Sequence, residues 1–279
     1  MSASLLAAFM VTWPLLLKFV LPVYAIGLLI ERFVPAERRQ PWRGMAFNVG
    51  YTALYLFLIQ LLVPPLSQWT QPWIHAAGGG WIKLVLGDSL PEQVLRGLLF
   101  FLVFDFFYYW WHRAQHGSWL WPLHKLHHAE QSMNVTTGNR HHWLEEPFRV
   151  FVVLLPMSLL FSIQPPTIAW IWTIFMLWGY FVHMNIRLEL GVLTPVFAGP
   201  QYHRLHHSFA PAHIDKNFAA FFPVWDLVFG TYVAPQKGEF PPTGLSDGEN
   251  LNSWWLSSVS PFRDWFKKIR PSGSQRKTN

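Results

Sequence analysis

The chain has 279 residues, of which 52% are hydrophobic and only 13% charged, about half the charged share of roughly 25% in a typical soluble domain. Too little charge remains to cover a water-exposed surface. An aromatic content of 18%, with 17 Trp and 24 Phe, excludes a disordered or ordinary nucleic-acid-binding chain. The absence of cysteine rules out disulfide scaffolds, thiolate metal sites and cysteine nucleophiles, whereas the 13 histidines fall mostly in tight clusters.

Five apolar runs approach the roughly 20 residues a membrane helix needs. The first covers residues 5–30, broken only by Lys18, and the second covers 46–66, ending at Pro64-Pro65. The third, 95–111, carries Arg96 and Asp105; the fourth, 148–163, stops before Pro165-Pro166; the fifth covers 168–184. Proline ends each of two runs because it lacks an N–H and crowds the preceding turn. Continuous runs lack the alternation of a membrane barrel. The expected fold is all-α: a polytopic transmembrane bundle of about four to five segments with a cytoplasmic, histidine-rich helical cap.

The N-terminal run lacks a positive leading segment and is too long for a signal peptide, so it reads as an anchor helix. Residues 69–87, with Gly78-Gly79-Gly80, read as a loop or re-entrant piece at the outer face. The tail after Gly238 is rich in Pro, Gly and Ser. Within it, residues 253–270 mix Trp254, Trp255, Phe262, Trp265 and Phe266 with Arg263, Lys267, Lys268 and Arg270, a pattern that lies on an anionic membrane surface. Pro261 is expected to prevent one continuous helix there, and disorder is expected from Ser272 onward. The organisation is therefore 1–93 for the N-terminal helices and outer loop, 94–234 for a catalytic region, and 235–279 for an interfacial tail.

Basic residues set the orientation. Arg32, Arg38, Arg39 and Arg43 follow the first run, Arg113, Lys125 and Arg140 follow the third, and ten more Lys or Arg lie after Asn185. Residues 67–94 hold only Lys83. The positive-inside rule then places the first, third and final loops in the cytoplasm, in a bacterial inner membrane or the endoplasmic reticulum. The net charge of +6 is thus a topology signal, with no nucleic-acid partner needed.

Chemistry concentrates in three boxes. His112 and His116 form HxxxH; His124, His127 and His128 form HxxHH; His203, His206 and His207 repeat HxxHH. With this histidine content, chance supplies HxxHH roughly 0.03 times per chain. On a helix, positions i, i+3 and i+4 share a face, so each box aims its imidazoles together. Packed imidazoles without a metal repel when protonated and lack partners when neutral. Counting spans puts all three boxes on one side of the bilayer, and the returning fifth run delivers His183 there too. Eight box histidines, His183 and His142 make ten imidazoles, enough for two metal ions with about four or five each. Such ligation suits Fe, Zn or Cu alike. No carboxylate falls in the boxes, so this is not a Glu-x-x-His bundle site.

The run Asp105, Tyr109-Trp110-Trp111-His112-Arg113 and His116, then Leu120-Trp121-Pro122-Leu123-His124-Lys125-Leu126-His127-His128, resembles the fatty acid hydroxylase/sterol desaturase superfamily. So do Arg140-His141-His142, His183-Met184-Asn185, Asp215-Lys216-Asn217 and Trp225-Asp226-Leu227-Val228-Phe229-Gly230-Thr231-Tyr232, over residues 94–233 in all. The resemblance implies two iron ions, O2 as co-substrate, and hydroxylation or desaturation of a membrane lipid or sterol. His142-Trp143 departs from the His-Pro of many relatives. No cytochrome b5-like segment is read in the chain, so a separate electron donor, cytochrome b5-, ferredoxin- or reductase-like, is expected.

Around the boxes, Asp105 shares their helical stripe, and an acid inside a span is expected to accept the outer N–H of a box histidine. Asn185 is a further candidate, and Glu145, Asp215, Asn217 and Asp226 are weaker candidates for the same task. Of His141 and His142 only one should face the metals, and His142 is taken. His213 reads as a loop residue and His75 lies on the opposite side. Trp170, Trp172, Phe175 and Trp178 either line an acyl tunnel or pack between helices. A zinc hydrolase would need a general base such as the Glu of HExxH, absent here. A metal transporter or sensor would place ligands along a mid-bilayer path instead of at one helix end.

Overall fold

The computed structural model of the chain describes residues 3–84, 89–163 and 165–270. The expected disorder after Ser272 and the lining role of Trp170 lie outside the described residues and side chains. α1 (Ala3–Leu15), a five-residue π-helical segment (Leu16–Val20) and α2 (Leu21–Phe33) run on as one 31-residue helix. α3 (Trp42–Ala76) returns beside it, and α4 (Leu90–Gln115) is the third helix long and apolar enough to cross a membrane. The fourth and fifth apolar runs form a shorter hairpin. Its outgoing arm is α6 (Glu145–Arg149), a π-helical segment (Val150–Leu154) and α7 (Leu155–Leu160); its returning arm is α8 (Pro165–His183), which opens on proline. The outgoing arm is about 24 Å long at roughly 1.5 Å per residue, less than the bilayer core of about 30 Å.

Two expectations about proline are corrected. α3 does not end at Pro64-Pro65 but continues through Pro72 to Ala76. Leaving the helix in hydrocarbon would expose a whole turn of bare N–H and C=O groups, a larger cost than the few bonds proline removes. Likewise α11 (Trp254–Ile269) passes unbroken through Pro261, which is buried together with Ser257 and Ser260 on the inner face. Ser253 caps its start by accepting the Leu256 N–H at 3.5 Å.

The segment expected at the outer face carries a short strand. β1 (Ile82–Leu84) pairs in parallel with β2 (Phe161–Ile163) at the tip of the hairpin, with Ile82 opposite Phe161. Gly80 makes the close approach possible. Its φ is 97°, and a Cβ there would lie 2.4 Å from the Ser162 nitrogen.

At the opposite end sit α5 (Trp121–His128), α9 (Pro200–His206), α10 (Val224–Phe229) and the loops between them. Tyr24, Tyr51, Tyr55, Leu126, Val135, Tyr180 and Leu251 share one buried cluster, so the long helices and the cap have a common core. Polar groups sew the joint. Fully buried Arg140 donates to the Leu126 carbonyl at 2.9 Å, to Asn48 at 2.9 Å and to Asn252 at 2.6 Å. Glu31 accepts the backbone N–H groups of Val135 at 2.7 Å and Asn185 at 3.0 Å. Such pairing lets charged groups remain inside an apolar joint without losing their solvation unpaid.

Candidate metal centre

Nine imidazoles converge in two groups. His112, His116, His124, His128 and His206 form one; His127, His183, His203 and His207 form the other; within each, the ligand atoms lie within 4.8 Å of one another. The last turns of α4 and α8 carry His112 and His183, while α5 and α9 carry the HxxHH boxes. Each of those boxes is divided between the groups. On α5 the i and i+4 rings, His124 and His128, go to the first group and the i+3 ring, His127, goes to the second. On α9 the assignment is reversed, with His203 and His207 in the second and His206 in the first. The two short helices therefore clasp both groups, and neither group can be dismantled without disturbing the other.

The outer nitrogens fix the tautomers. A carbonyl oxygen only accepts, so Nδ1 of His112 must donate to Phe218 O at 2.7 Å, Nδ1 of His206 to Lys216 O at 2.8 Å and Nδ1 of His183 to Gly179 O at 2.6 Å. The His116 Nδ1 donates to the Asp215 carboxylate at 3.0 Å, and the His124 Nδ1 faces Glu145 at 3.4 Å. In each neutral ring Nε2 is then a bare lone pair directed inward. Those of His112 and His124 face each other at 3.1 Å, and that of His183 lies 3.1 Å from His127 and 3.0 Å from His203. His116 Nε2, His128 Nε2, His206 Nε2, His127 Nδ1 and His207 Nδ1 are buried with no partner among the described residues. Lone pairs facing one another repel unless a cation lies between them. Ligands about 2.1 Å from one metal and at right angles would be about 3.0 Å apart, which is the spacing found. The residues present fit bound metal.

Burial and mutual repulsion disfavour charge on the buried rings of both groups. His124 is pushed down to about 4 by burial, against the pull of Glu145, and His127, His128, His203, His206 and His207 lie well below the ordinary histidine range for the same first cause and because of neighbouring imidazoles. A fold that favours the neutral ring is stabilised above the free-imidazole value of about 6.5 and loses that contribution as acid charges the unfolded chain. In chelator, melting temperature is expected to fall steadily from pH about 6.5 towards 4. A melt flat across that interval would contradict the burial of these rings as neutral groups.

The loop at 215–218 is the main outer support, supplying Asp215 Oδ1, Lys216 O and Phe218 O to three rings of the first group. Asp215 and Asn217 adopt left-handed backbone, with φ of 56° and 59°, a conformation these two residue types tolerate best. That local signal was present in the sequence. The pairing with two of the partners it serves, His112 and His116, about a hundred residues away, was not.

Several expected roles change. Asp105 does not touch a box histidine. Its carboxylate accepts the backbone N–H groups of Ala220, Phe221 and Phe222 at 2.9, 3.1 and 2.6 Å. Asp226 accepts those of Phe218 and Ala219, both at 2.8 Å, together with the Tyr202 and Thr231 hydroxyls. Both acids thus hold the loop whose Phe218 carbonyl positions His112. Asn185 is engaged with the backbone of Glu37 and Asn217 with that of Val233. Among Asp105, Asn185, Asp215 and Asp226, Asp215 alone meets a box ring directly.

His142 is not brought to either group. Its Nδ1 accepts the Leu144 N–H at 3.2 Å, its Nε2 donates to Ser258 O at 3.1 Å, and Trp143 stacks beside it. His141 takes the inward place, stacked on His127 with ring centres 4.1 Å apart and its Nδ1 3.2 Å from Glu145. Glu145 also accepts from Gln115 at 2.5 Å and lies against His124, forming a third, smaller group with His124 and His141. Burial alone would raise this carboxyl, but His141 and His124 hold it well below the usual range. The spacing of four between His141 and Glu145 was the sequence signal for the pair. His213 bonds Glu239, and exposed His75 ends α3 at the end remote from the cap. Trp172, Phe175 and Trp178 pack against Phe104 and Phe221. A cavity of about 960 Å³ instead reaches the first group along His116, His128 and His206.

Residues 97–231, which hold all three boxes, match the family model described as fatty acid hydroxylase. These residues, a little under half of the chain, are similar to the fatty acid hydroxylase family. Similar proteins include the alkylglycerol monooxygenase of Xenopus tropicalis, 35% identical over 140 residues, which cover 50% of this chain and 30% of that protein. The ornithine lipid hydroxylase OlsE of Rhizobium tropici is 28% identical over 254 residues, 87% of this chain and 74% of that protein. The very-long-chain aldehyde decarbonylase GL1-10 of Oryza sativa subsp. japonica is 27% identical over 180 residues, 61% and 58% respectively. The chain spans about 30% of the length of the alkylglycerol monooxygenases it matches. No solved structure gives a significant match. The matched region includes the whole of both imidazole groups.

Proposed function

We propose that this protein is an integral membrane oxidoreductase of the fatty acid hydroxylase family that uses two iron ions and O2 to hydroxylate or desaturate a lipid C–H bond. The observation carrying this reading is the convergence of nine imidazoles, eight of them buried, split five and four, at one end of helices long enough to span a bilayer. The relatives named for alkylglycerol, ornithine lipid and long-chain aldehyde chemistry support a lipid substrate. Bound iron would supply the oxidising power that no side chain here possesses, with electrons arriving from a separate donor.

The chain's own residues do the rest. His112, His116, His124, His128 and His206 would hold one ion, and His127, His183, His203 and His207 the other. Asp215, Glu145 and the carbonyls of Lys216, Phe218 and Gly179 keep the inner nitrogens unprotonated and aimed. Burial of the rings excludes water from the reacting volume, and the cavity at His116, His128 and His206 offers the lipid a way in. On this reading the cap lies on the cytoplasmic side, as the basic loops indicate.

The test combines metal analysis of the purified protein with lipid mass spectrometry of cells that have or lack it. Two irons per chain, O2 uptake, and a lipid mass change of one oxygen or two hydrogens are expected, all lost in His127→Ala and His206→Ala. Zinc with turnover under anaerobic conditions would establish a hydrolase instead, and metal flux without lipid turnover a transporter.

A further inference from the structure

α11 has two unlike faces. Trp255, Phe262, Phe266 and Ile269 lie on one stripe and are 72%, 48%, 58% and 69% exposed, with no part of the described chain covering them. The opposite face is fastened down. Lys125 on α5 pairs with Glu249 at 2.7 Å and with Asp264, and Arg263 bridges Glu249 and Asp264. The Trp265 indole donates to Trp119 O at 2.7 Å. The helix is therefore held in place by its polar side while presenting its apolar side outward, the reverse of what water would favour.

Its position says what covers that side. Trp254 packs on Phe47 and Tyr51 near the cap end of α3, and a Cβ at Gly50 would lie 3.1 Å from its ring. The exposed stripe thus continues the apolar surface of a helix long enough to span the bilayer. Trp42, at the start of α3, and Trp119, beside α11, are 69% and 62% exposed near the same end, where amphipathic rings sit at the headgroup boundary. Lys267, Lys268 and Arg270 end the helix, and among the described residues none of the three is paired with a carboxylate. Lys268 and Arg270 lie instead over the rings of Trp119 and Phe266.

We propose that α11 lies in the plane of the membrane on the cap side, with Trp255, Phe262, Phe266 and Ile269 among the lipid chains and Lys267, Lys268 and Arg270 on anionic headgroups. Apolar burial and polybasic attraction then add, as in other interfacial helices. The polar face of the same helix, through Arg263, Asp264, Lys267 and Lys268, walls the cavity that ends on His116, His128 and His206. Resting on the function proposed above, this seating brings the cavity mouth to headgroup level, where a lipid could enter without leaving the bilayer.

The chain has no cysteine, so Trp255→Cys, Phe262→Cys, Phe266→Cys and Ile269→Cys each take one nitroxide label. The full-length protein is placed in nanodiscs of phosphatidylcholine with or without phosphatidylglycerol, with Lys237→Cys as the loop reference. Labels on the stripe should collide with O2 severalfold more, relative to a nickel chelate, than the label at 237. The triple variant Lys267→Gln, Lys268→Gln, Arg270→Gln should reduce this depth signal in phosphatidylglycerol discs. Water-like accessibility along the stripe overturns the proposal, as does a triple variant without effect. Spin–spin broadening that disappears on dilution with unlabelled protein also overturns it, by showing that a second copy covers the face. None of these readouts depends on bound iron or turnover, so this inference and the proposed chemistry fail separately.

Discussion

His207→Ala is expected to lose bound metal and to reduce lipid turnover by about 100-fold or more, beyond the 10–100-fold typical when a residue that only orients a ligand is removed. The ring is fully buried, its Nε2 is 3.1 Å from that of His203, and its Nδ1 has no partner among the described residues. Among the described residues its ring has no hydrogen bond outside its group that could account for its burial, so its removal should act mainly through the metal. His142→Ala is the contrasting variant. Its ring already bonds Ser258 O and the Leu144 N–H, so the variant should keep its metal and lose about 1–3 kcal/mol of stability from the groups left unpaired. Metal content by mass spectrometry and thermal melts of both purified variants decide the matter. Full metal in His207→Ala, or its loss in His142→Ala at unchanged fold, would reverse the assignment.

Glu145→Ala should have the second-largest effect. The carboxylate is 3% exposed and faces Gln115, His124 and His141. Removing it leaves three polar side chains, two of them buried, without their acceptor, with a cost of about 3–5 kcal/mol if the pair is broken as a buried charge. It also frees His124 to rotate or change tautomer, which should weaken metal retention by about 10–100-fold. Glu145→Gln keeps an acceptor oxygen and should restore much of the stability, yet only part of the metal affinity. Its neutral amide cannot favour the donor state of His124 Nδ1 as a carboxylate does. Chelator competition followed alongside thermal stability separates the two effects. Equal recovery of both in the Gln variant would make Glu145 a packing residue alone.

What the sequence determined by itself follows from local periodicity and from counting. Apolar runs measured against bilayer thickness gave the membrane class, and the spacing of the HxxxH and HxxHH boxes gave helices with imidazoles on one face. Counting spans between boxes required that they meet at one end, as His112, His124, His183 and His203 do. All of these depend on distances along the chain of a turn or a span, which sequence encodes directly.

Only the tertiary structure decided how the imidazoles are shared. Whether an i+3 ring joins its i and i+4 neighbours depends on which helix packs opposite, and α5 and α9 divide their boxes in opposite ways. The choice of His141 over His142 likewise came from Glu145 on one side and Ser258 on the other, the latter 116 residues away. Asp105, correctly singled out as an acid within a span, was drawn to three backbone N–H groups of a loop over a hundred residues distant. The prolines of α3 and α11 followed the same rule, since the surroundings made a broken helix more costly than a strained one. Local propensity proposes each element, but long-range packing chooses the partners that hold a polar group in an apolar interior, and those partners define the site.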